Sequence, residues 1–141
     1  MQKIVLASQS PRRKQLLEWA EIDFEIMVSD SDETYPPELD VETIAIHIAR
    51  NKALAVASVT GEEKIILAAD TIVVCKNEIL GKPSDREDAI RILKKLSGNV
   101  HDVITGVVIL NNKNEISFAD KTRVEFHSLT DEQIIFYIDK Y

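Results

Sequence analysis

The run Ile65–Cys75, with the sequence IILAADTIVVC, is the feature that most limits the folds open to this chain. It is almost continuously apolar, which is typical of a strand at the centre of a sheet that is covered on both faces. Only Asp70 and Thr71 interrupt it. A carboxylate inside such a strand is costly unless a metal ion, a cation or hydrogen bonds hold it, so Asp70 needs a partner.

The residues alone leave two interpretations of Asp70 open. In the first, Asp70 forms a structural ion pair with a lysine or makes a capping contact. In the second, it binds a divalent cation or acts as a base beside one. The acidic loop that contains Asp32 and Glu33 could bring a second carboxylate to the same ion.

The size and composition of the chain fit one globular domain. Its 141 residues are 45% hydrophobic and 29% charged, which is enough apolar sequence for a sizeable core. The 24 acidic residues outnumber the 17 basic ones, and the net charge of -7 argues against broad binding of nucleic acids or anionic membranes. No apolar run approaches the roughly 20 residues that span a bilayer, and the first residues lack the apolar core of a signal peptide. We therefore expect a cytoplasmic protein.

Strand-like and helix-like periods alternate along the chain. We expect strands over residues 1–7, 24–28, 65–75, 100–110 and 115–126. We expect helices over residues 11–20, 40–59 and 85–96, and a last one from about residue 130. Residues 29–37 and 77–84 are expected to be a loop and a turn-rich link. The order βαβαβαββα predicts a single α/β domain over residues 1–141, built on a mixed sheet.

A basic cluster of Arg12, Arg13 and Lys14 stands out at the junction of the first strand and the first helix. Ser10 is placed to cap that helix, and Pro11 suits its first position. Hydroxyls, free backbone N–H groups and the helix dipole together favour an anion there, and the two arginines would add planar forks suited to phosphate. The alternative is that the three cations only decorate an exposed first turn, where they oppose the helix dipole.

Other polar residues are weaker candidates when each is taken alone. Lys52 lies in a helix, where most lysines are solvated. Lys82 is flanked by Gly81 and Pro83, which would direct its ammonium group, although Gly-Lys-Pro is also an ordinary turn. His101 fits a strand end as well as a functional site.

Three further positions carry structural predictions. We expect Cys75 to be a small buried thiol rather than a nucleophile. We expect Trp19 to lie on the apolar face of the first helix. The Thr105–Gly106 pair inside a strand predicts a bulge or a close approach of another backbone.

Six motifs follow one another along the chain: LASQSPRR at 6–13, SDSDE at 29–33, NKA at 51–53, AADTIV at 68–73, LGKPSD at 80–85 and LSGNVHDVITGV at 96–107. In this order they resemble the Maf family, and the resemblance spans essentially the whole chain. It implies a mixed, twisted sheet flanked by helices, with a central cleft, as in the related inosine triphosphate pyrophosphatases. It also implies hydrolysis of a nucleoside triphosphate between its α and β phosphates, with Mg²⁺ or Mn²⁺ as cofactor.

The resemblance implies roles for individual residues. Asp70 would be the catalytic carboxylate, usually described as a proton acceptor, and would bind the metal ion together with Glu33. The triphosphate would be held by Ser8, Arg12, Arg13, Lys52 and Lys82. The Ser-Pro-Arg-Arg form of the first motif and the Asp-Thr pair resemble the branch that cleaves dTTP and UTP, so Arg12 and Thr71 would set base specificity.

The resemblance also implies a cytoplasmic homodimer that binds a nucleoside triphosphate but neither a nucleic acid polymer nor a membrane. Family members continue beyond the helix in which this chain stops, into a segment tied to base selection. We therefore expect the chain to lack the usual C-terminal segment. The alternative to a pyrophosphatase is a catalytically impaired nucleotide-binding or regulatory protein linked to septum formation.

Overall fold

The computed structural model describes residues 4–8, 10–28, 34–60, 64–81, 83–111 and 114–140. The strands are β1 (Ile4–Leu6), β2 (Phe24–Ile26), β3 (Ile65–Cys75), β4 (Glu78–Leu80), β5 (Val100–Asn111) and β6 (Asn114–Glu125). The helices are α1 (Pro11–Trp19), α2 (Val41–Thr60), α3 (Arg86–Leu96) and α4 (Asp131–Lys140). No helix in these ranges combines the length and the apolar composition that crossing a bilayer requires.

The strands form one mixed sheet, which confirms the predicted α/β class. Its order is β2-β1-β3-β5-β6, and β4 pairs with β3 off this path. β1 lies between β2 and β3 and is parallel to both, with Leu6 opposite Ile26 and Leu67. β4 runs antiparallel to β3.

The chain reverses direction across the sheet at β1. It passes from β1 through α1 to β2 on one side, and then through α2 to β3 on the other side of β1. Because crossovers between parallel strands are right-handed, α1 and α2 lie on opposite faces of the sheet. Open α/β sheets bind ligands at the carboxyl ends of strands where the order reverses in this way. The carboxyl end of β1 is therefore the expected place for a site.

Two compact units are present, and each has its own core. The first comprises Met1–Thr71 and Thr105–Asp120. Half of the residues that α2 buries are alanines, whose small side chains allow a close helix–sheet approach. The buried residues of α2 are Ile44, Ala45, Ile48, Ala49, Ala53 and Val56. From the strands, Val5, Ile66 and Val108 join this core.

The second unit comprises Ile72–Ile104 and Lys121–Tyr141. Its core is built on Cys75, Leu80 and Leu96, with Phe126 packed against them. Cys75 is fully buried, and its Sγ lies 3.7 Å from the carbonyl oxygen of Lys95. The prediction of a buried thiol is confirmed.

Strand β4 lies where the sequence predicted only a turn-rich link. Val73, Val74 and Cys75 pair with Leu80, Ile79 and Glu78 across a two-residue turn. Both turn residues, Lys76 and Asn77, have positive φ angles, of 51° and 65°. A two-residue hairpin loop with positive φ at both positions is a type I′ turn, which matches the twist of the strands it joins.

Helix α1 buries none of its residues. The side chain of Trp19 is 69% exposed, so the prediction that it packs on an apolar helix face is wrong. The apolar residues of a nine-residue helix are too few to form a continuous stripe, and the contacts that hold α1 are made by its first turn instead.

Candidate active site

The site begins where β1 ends and α1 starts. Ser10 caps α1, as predicted, and its Oγ accepts a hydrogen bond from the Arg13 N–H at 3.4 Å. Pro11 occupies the first helical position. Ser8 is buried, and its Oγ accepts a hydrogen bond from the Ser10 N–H at 3.1 Å. The two serines thus fix the chain at the positive end of the helix dipole.

Arg13 links α1 to strand β3. Its Nη1 donates to Ser8 Oγ at 3.2 Å and to the carbonyl oxygen of Ala69 at 3.2 Å. Its Nη2 donates to Thr71 Oγ1 at 3.0 Å. Burial lowers the pKa of the Arg13 guanidinium, while the negative charge of Asp70 acts in the opposite direction. The group stays charged, since an arginine does not lose its proton in proteins.

The other two members of the basic cluster behave differently from Arg13. Arg12 is exposed, and its side chain has no hydrogen-bond partner within the described part of the chain. Lys14 forms an exposed pair with Glu18 one helical turn away, at 3.9 Å. Such a pair contributes little to stability. Lys14 therefore lies on an exposed turn without contacting the site, whereas Arg13 is part of the hydrogen-bond network of the site.

Asp70 is paired with a lysine. Lys52 Nζ lies 3.0 Å from Asp70 Oδ1, and the two side chains are 23% and 17% exposed. Helix α2 carries Lys52 to this point on β3. The first interpretation of Asp70, an ion pair with a lysine, is thus observed, and Lys52 is not an ordinary solvated helix lysine.

The residues at this point fit a cation that the substrate helps to hold. Within the described residues, no three His, Cys, Asp or Glu side chains are grouped closely enough to ligate a metal ion. Mg²⁺ is commonly bound by one or two carboxylates, with substrate phosphates supplying further oxygens. Asp70 can supply such a carboxylate, and the remaining ligands of the ion do not have to come from the protein. Glu33, the other predicted ligand, lies outside the described residues.

The structure brings together five of the predicted site residues. Ser8, Arg13 and Thr71 share one hydrogen-bond network, and Lys52 and Asp70 form the adjacent ion pair. Lys82 lies outside the described residues. His101 is buried in the second unit and packs edge-on against Phe126, with ring centroids 5.0 Å apart. The packing is that of a structural histidine, but Nδ1 of the ring is buried without a hydrogen-bond partner among the described residues.

Two neighbouring residues of β5, Thr105 and Gly106, were not assigned to the site from the sequence. Thr105 Oγ1 lies 3.1 Å from Thr71 Oγ1. A Cβ atom added to Gly106 would lie 2.4 Å from the Ala45 carbonyl carbon and 2.5 Å from the Ile46 nitrogen. The close backbone approach predicted for the Thr105–Gly106 pair is confirmed, but the sequence held no signal for the contact between the two threonines.

Relatives of known description align with nearly the whole of this chain. The family model described as Maf-like protein matches residues 3–141. A dTTP/UTP pyrophosphatase of Parabacteroides distasonis is 45% identical over 140 residues, which are 99% of this chain and 72% of that protein. A dTTP/UTP pyrophosphatase of Bacillus cereus (strain G9842) is 46% identical over 138 residues, which are 98% of this chain and 72% of that protein.

Solved structures share the fold at low sequence identity. The Staphylococcus aureus Ham1 protein superposes with a TM-score of 0.62 at 16% identity, covering 88% of this chain and 71% of that one. A nucleoside-triphosphatase, or dITP/XTP pyrophosphatase, of Mycobacterium abscessus superposes with a TM-score of 0.53 at 15% identity. The superposition covers 87% of this chain and 73% of that one. These similarities confirm the predicted fold class.

Proposed function

Since this chain belongs to the Maf family, we propose that it is a nucleoside triphosphate pyrophosphatase that hydrolyses dTTP and UTP to the monophosphate and pyrophosphate. The family resemblance inferred from the six motifs is confirmed by the match over residues 3–141. The choice of substrates follows the names of the relatives that are about 45% identical. One geometric observation supports the reaction: Ser8, Arg13, Lys52 and Asp70 converge at the carboxyl end of β1.

The reaction requires an activated water and a stabilised leaving group. The water oxygen forms a bond to the α phosphorus while the bond from that phosphorus to the α–β bridging oxygen breaks. The bridging oxygen leaves with the electron pair as part of pyrophosphate, and the water gives up a proton. We assign that proton to the Asp70 carboxylate, which Lys52 positions through its Oδ1 contact. A carboxylate in hydrogen-bond reach of the water is suited to this role.

The cations of the site would neutralise the triphosphate. Among the described residues, Arg13 uses three of its N–H donors on Ser8, Ala69 and Thr71, which leaves its Nε–H and one Nη2–H for phosphate oxygens. We propose that Arg12, Lys52 and Lys82 act on the same phosphates. Charged hydrogen bonds of this kind are the strong ones by which a protein binds phosphate oxygens.

The proposal includes a divalent cation and base selection. Mg²⁺ or Mn²⁺ would be held by Asp70, with Glu33 as a second ligand, and would supply positive charge to the phosphate oxygens and acidify the water. Arg12 and Thr71 would distinguish thymine and uracil from other bases. Thr71 is exposed beside Arg13, where it could reach a bound nucleotide.

The remaining parts of the proposal concern the whole protein. We propose that residues 1–141 act as one domain, that the protein works as a homodimer in the cytoplasm, and that it binds neither nucleic acid polymers nor membranes. The net charge of -7 supports the absence of binding to nucleic acid polymers and membranes, because phosphate backbones and anionic lipids repel an acidic surface.

The decisive experiment compares Asp70→Asn with the parent chain. Pyrophosphate release would be measured from dTTP, UTP, CTP and 7-methyl-GTP with Mg²⁺ or Mn²⁺. We expect release from dTTP and UTP, and a loss of at least about 10²-fold in kcat for Asp70→Asn, since a positioned base contributes about 10²–10⁴-fold. Circular dichroism would verify that the variant is folded.

Asp139→Asn is the matched control, because Asp139 pairs with Arg86 on the exposed surface of the second unit. Its activity should equal that of the parent chain. Equal activity of Asp70→Asn and the parent would overturn the role of Asp70. Nucleotide binding without pyrophosphate release in the parent would instead identify the regulatory alternative.

A further inference from the structure

We propose that Thr105 is a positioning residue of this site: through Thr71, its hydroxyl holds the Arg13 guanidinium in the orientation that receives phosphate. The part of the proposal that concerns phosphate rests on the proposed function. The part that concerns Arg13 rests only on the contacts of the ligand-free chain. Thr105 itself is not assigned a contact with the substrate.

The orientation of Arg13 depends on both of its terminal nitrogens. Nη1 is held by Ser8 Oγ and the carbonyl oxygen of Ala69, and Nη2 is held by Thr71 Oγ1. Rotation about the bond between Nε and Cζ exchanges the two nitrogens and breaks all three contacts. The Thr71 contact is the one that fixes Nη2, and it lies on the exposed side of the network.

Thr71 can hold Nη2 only while its own hydroxyl is oriented. A threonine hydroxyl has one donor and two acceptor positions and rotates freely when nothing fixes it. Arg13 takes one acceptor position, and Thr105 Oγ1 lies 3.1 Å away as the second partner. Whichever threonine donates, the pair of hydroxyls restricts Thr71 to a conformer that faces Arg13.

The position of Thr105 is fixed in turn by its neighbour in β5. The backbone of α2 lies so close to Gly106 that an added Cβ would be 2.4 Å from the Ala45 carbonyl carbon. Side chains alternate along a strand, so Thr105 faces away from α2. That is the face on which the right-handed crossovers place α1, the helix that carries Arg13.

Loss of the Thr105 hydroxyl should weaken phosphate binding more than it slows the chemical step. Arg13 would contact the phosphates both before and during the reaction, and a loss of such uniform binding raises KM while kcat is unchanged. One neutral hydrogen bond corresponds to a change of about three- to tenfold.

The test uses Thr105→Val, which keeps the shape, and Thr105→Ser, which keeps the hydroxyl. We expect KM for dTTP to rise about three- to tenfold in the valine variant, with kcat within about twofold, and to return towards the parent value in the serine variant. Thr122→Val, an exposed threonine of β6, is the matched control and should leave both constants unchanged.

A second measurement does not depend on activity. Nitrogen-15 NMR of the ligand-free protein reports how fast the Arg13 guanidinium rotates about its Nε–Cζ bond. Thr105→Val should speed this exchange severalfold, and Thr105→Ser should not. If Thr105→Val changes neither KM nor the exchange rate and only lowers the melting temperature, the residue is merely structural and the proposal is wrong. If the parent chain neither binds nor cleaves nucleotides, the proposed function fails, while the exchange rate still decides the role of Thr105.

Discussion

At the scale of single residues, Asp70 and Thr71 show how two neighbours in one strand serve different helices. Asp70 pairs with Lys52 of α2, whereas Thr71 receives a hydrogen bond from Arg13 of α1. Consecutive side chains of a strand point to opposite faces, and α1 and α2 cover opposite faces. The polar interruption of an otherwise apolar strand therefore supplies one contact to each side of the sheet.

Among the described glycines, Gly106 has the least room for a side chain. We expect Gly106→Ala to destabilise the protein by about 3 kcal/mol or more, because a Cβ would meet the backbone of α2, which cannot rotate away as a side chain can. The melting temperature and the urea midpoint would measure the loss. Gly81→Ala is the control, since a Cβ at Gly81 meets no atom of the described residues within 4 Å. A Gly106→Ala protein as stable as the control would show that α2 can move away from β5.

Part of this site could be predicted from the sequence. The polar interruption in β3 indicated Asp70, and the capped junction of β1 and α1 with its basic cluster indicated an anion site at Ser10 and Arg13. The motifs added roles for Ser8 and Lys52. The contact between Thr71 and Thr105 could not be predicted, because the two residues are 34 positions apart. Their proximity depends on which strands become neighbours in the sheet, and no local pattern encodes that order.

At the scale of secondary-structure elements, long apolar runs were predictable and short elements were not. β3 and α2 match their predictions closely, since each buries a long stretch with a clear period. β4 has three residues and follows a Lys-Asn turn. Such a turn is a weaker hairpin signal than Asn-Gly, so no local pattern separated β4 from the link. α1 was identified by its cap but not by its packing, because its apolar residues remain largely exposed.

The end of α1 contains a strain that a substitution can relieve. Glu21 has a φ of 56°, and the Glu21 and Ile22 N–H groups donate to the carbonyl oxygens of Glu18 and Leu17, which is the Schellman arrangement. Glycine is favoured at the left-handed position. We expect Glu21→Gly to stabilise the protein by about 0.5–1 kcal/mol, the relief of left-handed strain less the added entropy of the unfolded chain.

Chemical unfolding of Glu21→Gly and Glu21→Ala would test this expectation. Both variants remove the same carboxylate, but only glycine adopts a positive φ without strain. The alanine variant should therefore differ little from the parent chain. Equal stability of the two variants would show that the left-handed residue contributes no strain.

At the scale of the whole molecule, acid stability depends on carboxylates distributed along the chain. Hydrogen bonds lower the pKa of three of them below the ordinary values of 3.8 for Asp and 4.5 for Glu: Asp40 through Thr43, Asp88 through the Ser84 backbone, and Glu115 through Arg50. Between the ordinary and the lowered pKa values, the unfolded chain binds more protons than the folded one. Stability is therefore complete above about pH 4.5 and falls as the pH drops through the lowered values.

Urea midpoints between pH 7 and pH 2.5 would measure this dependence. We expect the midpoint to change little down to pH 5 and to fall below pH 4. In a chain with both Asp40→Asn and Glu115→Gln, the midpoint should be lower at pH 7 and should depend less on pH, whereas Asp120→Asn should keep the parent slope. If the urea midpoint depended on pH equally in the parent chain, the double variant and Asp120→Asn, then Asp40 and Glu115 would not be sources of the acid sensitivity.

The way Arg13 joins two distant parts of the chain also governs when the site can exist during synthesis. Arg13 and its acceptor on Ala69 are 56 residues apart. At about 5–20 residues per second, the ribosome needs roughly 3–11 seconds to add the residues between them. During that interval the first strand and helix are present without the strand that completes their hydrogen bonds. A nascent chain interrupted before β3 would carry Ser8, Arg12 and Arg13, which we propose to bind phosphate, without the strand that holds Arg13 in place.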